Sequence, residues 1–164
     1  MTLKKTIGRI ALLCLIAATL LFIFIQSMLP PETSSAESDA VGGVIEEIIP
    51  SDTPAGSYIQ VNLRKIAHFV EFAVLGVEVA LYVAFFMRKP HFIALSYIAA
   101  LVTALFDESV QIFSKRGPAI FDVWIDFFGF FIFASIVYFT FFTVEYFYKK
   151  VQMRKEKLGN GKNN

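Results

Sequence analysis

The sequence predicts an all-α, polytopic membrane protein with four transmembrane helices, and three observations predict it. Hydrophobic residues make up 56% of the 164 residues and charged residues only 18%, against about 45–50% and about 25% in ordinary soluble domains. Phe alone accounts for 19 positions, more aromatic surface than a water-soluble chain of this length can bury. The apolar residues are also grouped into four long runs without the alternation of a β-barrel, and helices then become the only way to satisfy backbone groups in lipid. A soluble enzyme, a disordered chain and a disulfide-stapled secreted domain are excluded. Cys14 stands alone and cannot form an intramolecular disulfide.

The first run covers residues 7–29 and is stopped by Pro30-Pro31. The second covers 64–87 and is closed by Arg88-Lys89-Pro90, the third covers 92–113, and the fourth covers 121–144. Each is long enough to cross about 30 Å of hydrocarbon at about 1.5 Å per residue. The organisation that follows is a signal-anchor-like first helix (1–29), an acidic extracytoplasmic loop (30–63), a three-helix core (64–144) and a basic cytoplasmic tail (145–164). Cleavage after Ser34-Ser35-Ala36 is the competing reading of the first segment, although its apolar run exceeds that of an ordinary signal peptide. Cys14 lacks the small preceding residue that lipidation needs and is expected to serve packing.

Charge sets the direction. With the N-terminus in the cytoplasm, eleven of the fifteen Lys and Arg residues lie inside, which is the positive-inside pattern. The first loop carries Glu32, Glu37, Asp39, Glu46, Glu47 and Asp52 without a single Lys or Arg. Both termini are therefore expected to be cytoplasmic. The loop is expected to be irregular, with either a short interfacial helical turn or a floppy linker over residues 44–49. Trp124, Tyr138, Tyr146 and Tyr148 are read as interfacial anchors.

Ionisable groups at bilayer depth cost about 2.5–3.5 kcal/mol each on insertion scales and usually face a bundle interior or water. Here they are concentrated in three places. The second helix opens with Arg64-Lys65 and continues to His68 and Glu71, with Lys65, His68 and Glu71 spaced by three. The third ends with Asp107, Glu108 and Gln111, and the fourth opens with Asp122, Asp126 and Gly129 at i, i+4 and i+7. Such spacings put residues on one helix face. In the topology above all three segments lie in the outer half of the bilayer, so a polar pocket opening outward is expected. The first helix offers nothing comparable. Glu78, about 10 Å deeper than Glu71, is either the pocket floor or an acid satisfied by packing.

These residues resemble the VanZ-like family of small membrane proteins. The resemblance rests on Lys65-x-x-His68-Phe69-x-Glu71-Phe72-x-x-Leu75-Gly76, on Asp107-Glu108-x-x-Gln111-x-Phe113 with Arg116, and on Asp122-x-x-x-Asp126-x-x-Gly129. It spans residues 62–137. The chain departs from the family where Asp126 replaces a frequent Asn and where Phe133 replaces a frequent second Gly. The resemblance implies a multi-pass protein of the bacterial cytoplasmic membrane, working at its extracytoplasmic face, with a link to glycopeptide (teicoplanin) resistance and no assigned reaction.

Three readings of the cluster stay open. In the first, Lys65, His68, Glu71, Asp107, Glu108, Gln111, Arg116, Asp122 and Asp126 bind the headgroup of a membrane lipid, a lipid-linked cell-wall precursor or an amphiphilic glycopeptide. Arg and Lys would take phosphate or carboxylate, and the acids would take hydroxyl, amine or a bridging cation. In the second, the chain is a membrane-embedded enzyme modifying such a headgroup, with His68, Glu71, Asp107 and Glu108 as the candidate catalytic groups. In the third, ion pairs such as Lys65 with Asp122 and Arg116 with Glu108 simply hold the helices together. Within the second reading, Asp107 with Glu108 could hold a divalent cation through oxygen ligands. One His with several carboxylates and a Gln suits Mn or Zn poorly to moderately, and no ligand spacing makes that strong. No cofactor is expected, and no folded basic face supports nucleic-acid binding.

Overall fold

The computed structural model describes residues 3–30, 40–50, 52–113 and 120–160, and among these it contains helices and turns but no strand. Helix α1 is Leu3–Met28, α2 is Pro54–Tyr82, α3 is Pro90–Phe113 and α4 is Ile120–Asn160. All four contain segments long and apolar enough to cross a membrane. The chain is a multi-pass membrane protein.

Local chemistry explains most helix ends. Helix α1 stops just ahead of Pro30, as expected of a segment approaching proline. Helix α2 starts earlier than the apolar run suggests, because Thr53 caps it by accepting a 3.0 Å hydrogen bond from the Gly56 amide and Pro54 fills the first turn. The stretch just before the second apolar run is therefore helical rather than irregular. Within the loop, residues 40–46 also form a short helix. Helix α2 passes into five π-helical residues, Val83–Met87, and ends at Arg88 in the left-handed region (φ 52°). Arg88 is tied down on the far side, with Nη1 3.7 Å from Glu145 Oε1 and the guanidinium over the Phe141 ring. Helix α4 runs for 41 residues, about 60 Å, so the basic tail continues the helix well past the hydrocarbon.

Helix α2 is the central element, packing on α4 most extensively and on α1 and α3 as well. Glycine makes the α2–α4 approach close. A Cβ on Gly76 would stand 2.6 Å from the Phe130 carbonyl oxygen, and one on Gly129 would collide with the Phe69 carbonyl. Small residues elsewhere in the core, including Ala80, Ala100, Ala104 and Ala134, follow the same logic, since helices in lipid associate by close packing and interhelical hydrogen bonds. Those bonds are present: Tyr97 to Ser135 at 2.8 Å and Ser96 to Tyr138 at 3.0 Å join α3 to α4. Tyr138 is 5% exposed and so is a core residue, not an interfacial anchor. Trp124, Tyr146 and Tyr148 are exposed. The outward faces carry Leu13, Phe22, Val70, Val102, Phe131 and Phe139, an apolar shell suited to lipid. Cys14 is also exposed, so it does not serve packing within the bundle.

Candidate polar site between four helices

The site occupies one end of the bundle, where α2 and α4 begin and α1 and α3 end. Helix α2 contributes Arg64, His68 and Glu71 at i, i+4 and i+7, one helical stripe. Helix α3 contributes Asp107 and Gln111 from its last two turns, and α4 contributes Asp126 next to the close contact at Gly129. Asp107 is fully buried and Asp126 is 1% exposed. Two acids in such surroundings require partners, because an unpaired buried carboxylate is expensive.

Asp107 has partners. Its Oδ1 accepts a 2.6 Å hydrogen bond from Ser27 Oγ of α1, and its Oδ2 accepts a 3.0 Å bond from Gln111 Nε2. The Gln111 Oε1 in turn accepts a 2.9 Å bond from Arg64 Nη2. A chain of contacts therefore runs from the α2 guanidinium through Gln111 to the α3 carboxylate and on to α1. His68 Nδ1 lies 3.7 Å from Glu71 Oε2 and 3.9 Å from Asp107 Oδ2. One donor atom each from His68, Asp107 and Asp126 lies within 4.8 Å of the others. Asp126 Oδ1 and Glu71 Oε2 are buried without a hydrogen-bond partner among the described residues.

At the rim, Lys65 Nζ lies 3.5 Å from Asp122 Oδ1, and the two side chains are 48% and 32% exposed. The expected ion pair is therefore present with both side chains partly exposed, although Asp122 Oδ1 itself is buried. Beside it, an open groove of about 410 Å³ is lined by Tyr58, Asn62, Lys65, Phe69, Phe121 and Ile125. Its walls are largely apolar, with an ammonium and an amide at the edge. A second groove, of about 500 Å³, carries Lys4, Lys5 and Arg88 beside Phe85 and Phe86, residues from the other ends of α1 and α2.

The fold thus gathers His68, Glu71, Asp107, Gln111 and Asp126, with Lys65 and Asp122 at the rim. Glu108 is buried on the neighbouring part of α3, 7% exposed. Arg116, and with it the expected Arg116–Glu108 pair, lies outside the described residues. Glu78 is not the floor of this cluster in hydrogen-bonding terms: its Oε1 accepts a 2.9 Å bond from Thr19 of α1. Two participants were not anticipated. Ser27 shows that α1 does contribute to the cluster, although its only sequence signal is a polar pair, Gln26-Ser27, in the last turn of an apolar helix. Arg64 was visible as a charge, and its i, i+4, i+7 register with His68 and Glu71 could have assigned it.

Chemically, the site offers an imidazole flanked by carboxylates, two of them with an unsatisfied oxygen, and cationic groups nearer the end of the bundle. The family model described as VanZ/LLP1 matches residues 10–154, which takes in α1 as well as the motif-bearing helices. No curated protein and no solved structure is significantly similar to the chain.

Proposed function

The chain belongs to the VanZ/LLP1 family, and from that premise we propose that it binds the polar headgroup of a cell-envelope amphiphile where α2, α3 and α4 meet. The ligand classes are a membrane phospholipid, a lipid-linked cell-wall precursor and an acylated glycopeptide such as teicoplanin. One observation carries the reading. A cluster built only to pin helices would satisfy its buried polar atoms internally, yet Asp126 Oδ1 and Glu71 Oε2 lack hydrogen-bond partners among the described residues. The groove beside Lys65 adds an apolar path for an acyl chain ending at a cation. The positive-inside bias supports an extracytoplasmic opening, and through it a contribution to glycopeptide tolerance in a bacterial envelope.

The test is thermal unfolding of the purified chain in detergent, titrated separately with phosphatidylglycerol, a lipid-linked cell-wall precursor and teicoplanin. Binding at a hundred times Kd stabilises by about 2.7 kcal/mol. Stabilisation by one of the three that is lost in Asp126→Asn supports the reading. No stabilisation by any of them sinks it. A specific observation favours a second reading: the Lys65–Asp122 pair and the Arg64–Gln111 bond each join two helices, as a scaffold would require. Under that reading Lys65→Met and Asp126→Asn lower abundance in the membrane to a similar extent, with no ligand effect. Catalysis on the headgroup draws support from His68, held between Glu71 and Asp107. Turnover of a lipid-linked precursor that stops in Glu71→Gln is its test.

A further inference from the structure

We propose that His68, Asp107 and Asp126 form a binding site for one divalent transition-metal ion of the Mn2+ or Zn2+ class. The inference goes beyond headgroup binding and does not depend on it.

Geometry is the first argument. Ligand atoms about 2.1 Å from a common ion stand about 3.0–4.2 Å apart. His68 Nδ1 is 3.9 Å from Asp107 Oδ2. That separation is too long for a direct hydrogen bond, and it falls inside the range for atoms sharing an ion. The His68, Asp107 and Asp126 donors lie within 4.8 Å of one another, so a small side-chain rotation brings the widest pair into range.

Charge and hydrogen bonding point the same way. Asp107 and Asp126 are 0% and 1% exposed, and among the described residues neither forms an ion pair with Lys or Arg, since Lys65 pairs with Asp122 and Arg64 donates to Gln111. Asp126 Oδ1, buried and without a hydrogen-bond partner among the described residues, is where a cation would bring most relief. Asp107 is already oriented as metal ligands are, by outer hydrogen bonds from Ser27 and Gln111.

The donor set selects the class of ion. One imidazole nitrogen with carboxylate oxygens suits Mn2+ or Zn2+. Ca2+ prefers six to eight oxygens, and Mg2+ binds few protein carboxylates and keeps most of its water. No thiolate ligand is offered, because the single cysteine, Cys14, lies on the exposed face of α1.

The experiment uses tag-free full-length protein in detergent, stripped with EDTA, dialysed and titrated with MnCl2 and ZnCl2 alone, without added lipid. Expected is one ion per chain with a rise in unfolding temperature. Binding is expected to be lost in Asp126→Asn, to weaken about 10–100-fold in Gln111→Ala, and to be unchanged in Glu145→Gln at the other end of the bundle. Because Asp126→Asn could perturb folding, Mn2+ electron–nuclear double resonance on the unmodified protein provides a second reading: a nitrogen coupling is expected from His68. Failure of folded protein to bind a stoichiometric ion, binding unaltered in folded Asp126→Asn, or bound Mn2+ without nitrogen coupling would each overturn the proposal. Headgroup binding is tested separately by the lipid titration, whose ligands are absent from this experiment.

Discussion

Ser27, in the last turn of α1, donates a 2.6 Å hydrogen bond to the Asp107 carboxylate of α3, eighty positions further along the chain. Both residues are fully buried. This bond brings α1 into a cluster otherwise built by the other three helices, and it aims Asp107 by holding one carboxylate oxygen while Gln111 holds the other.

Removing that hydroxyl leaves a buried carboxylate oxygen short of a donor, at a cost of about 1–3 kcal/mol. Ser27→Ala is therefore expected to lower stability by that amount in reversible unfolding in mixed micelles. Ser109→Ala is the control, because the exposed Ser109 hydroxyl bonds the Leu105 carbonyl of its own helix, and little change is expected there.

The α2–α4 contact depends on two missing side chains. Gly129→Ala places a methyl group against the Phe69 carbonyl, and Gly76→Ala places one 2.6 Å from that of Phe130. Backbones must separate to accept either, so a loss of about 1–3 kcal/mol is expected for each. Gly8→Ala, with open space around it, is expected to be neutral or to gain up to about 1 kcal/mol from helix propensity. Equal effects at all three glycines would contradict the close approach.

The Lys65–Asp122 pair is half-solvated, and exposed pairs contribute about 0.2–1 kcal/mol. A double-mutant cycle of Lys65→Met and Asp122→Asn is expected to give a coupling in that range. If Lys65 also serves a ligand beside the groove, the single variant is expected to weaken headgroup binding by more than its stability change explains. A coupling above about 2 kcal/mol would make the pair a structural clamp instead.

The parts of this architecture that repeat along the chain were legible in its sequence. Four apolar runs fixed four helices. Charges at the start of α2, the end of α3 and the start of α4 had to meet if the helices alternate in direction, and His68, Glu71, Asp107, Gln111 and Asp126 do meet. Single contacts were not legible. A lone hydroxyl such as Ser27 makes no periodic signal, and its partner is chosen by helix packing rather than by spacing. Glu78 and Thr19 found one another in the same way. The early start of α2 was encoded in Thr53-Pro54, a cap signal that the polar loop around it obscured. The outward face of Cys14 and the inward face of Tyr138 depend on helix rotation, which a run that is apolar all round leaves undetermined. A divalent ion on this cluster was conceivable from its His and carboxylates, but the ligand set was not legible, since its members come from three helices and no short motif joins them.

The proposed opening of the cluster to the outer face of the membrane is tested most directly by thiol labelling of intact cells with a membrane-impermeant reagent, in a Cys14→Ala background. Single cysteines are introduced by Lys65→Cys and Asp122→Cys at the rim and by Arg88→Cys at the other end of the bundle. Labelling at positions 65 and 122 is expected without permeabilisation, and at position 88 only after it. Labelling of position 88 in intact cells, with 65 and 122 protected until the membrane is opened, would contradict the orientation and with it the envelope-facing site.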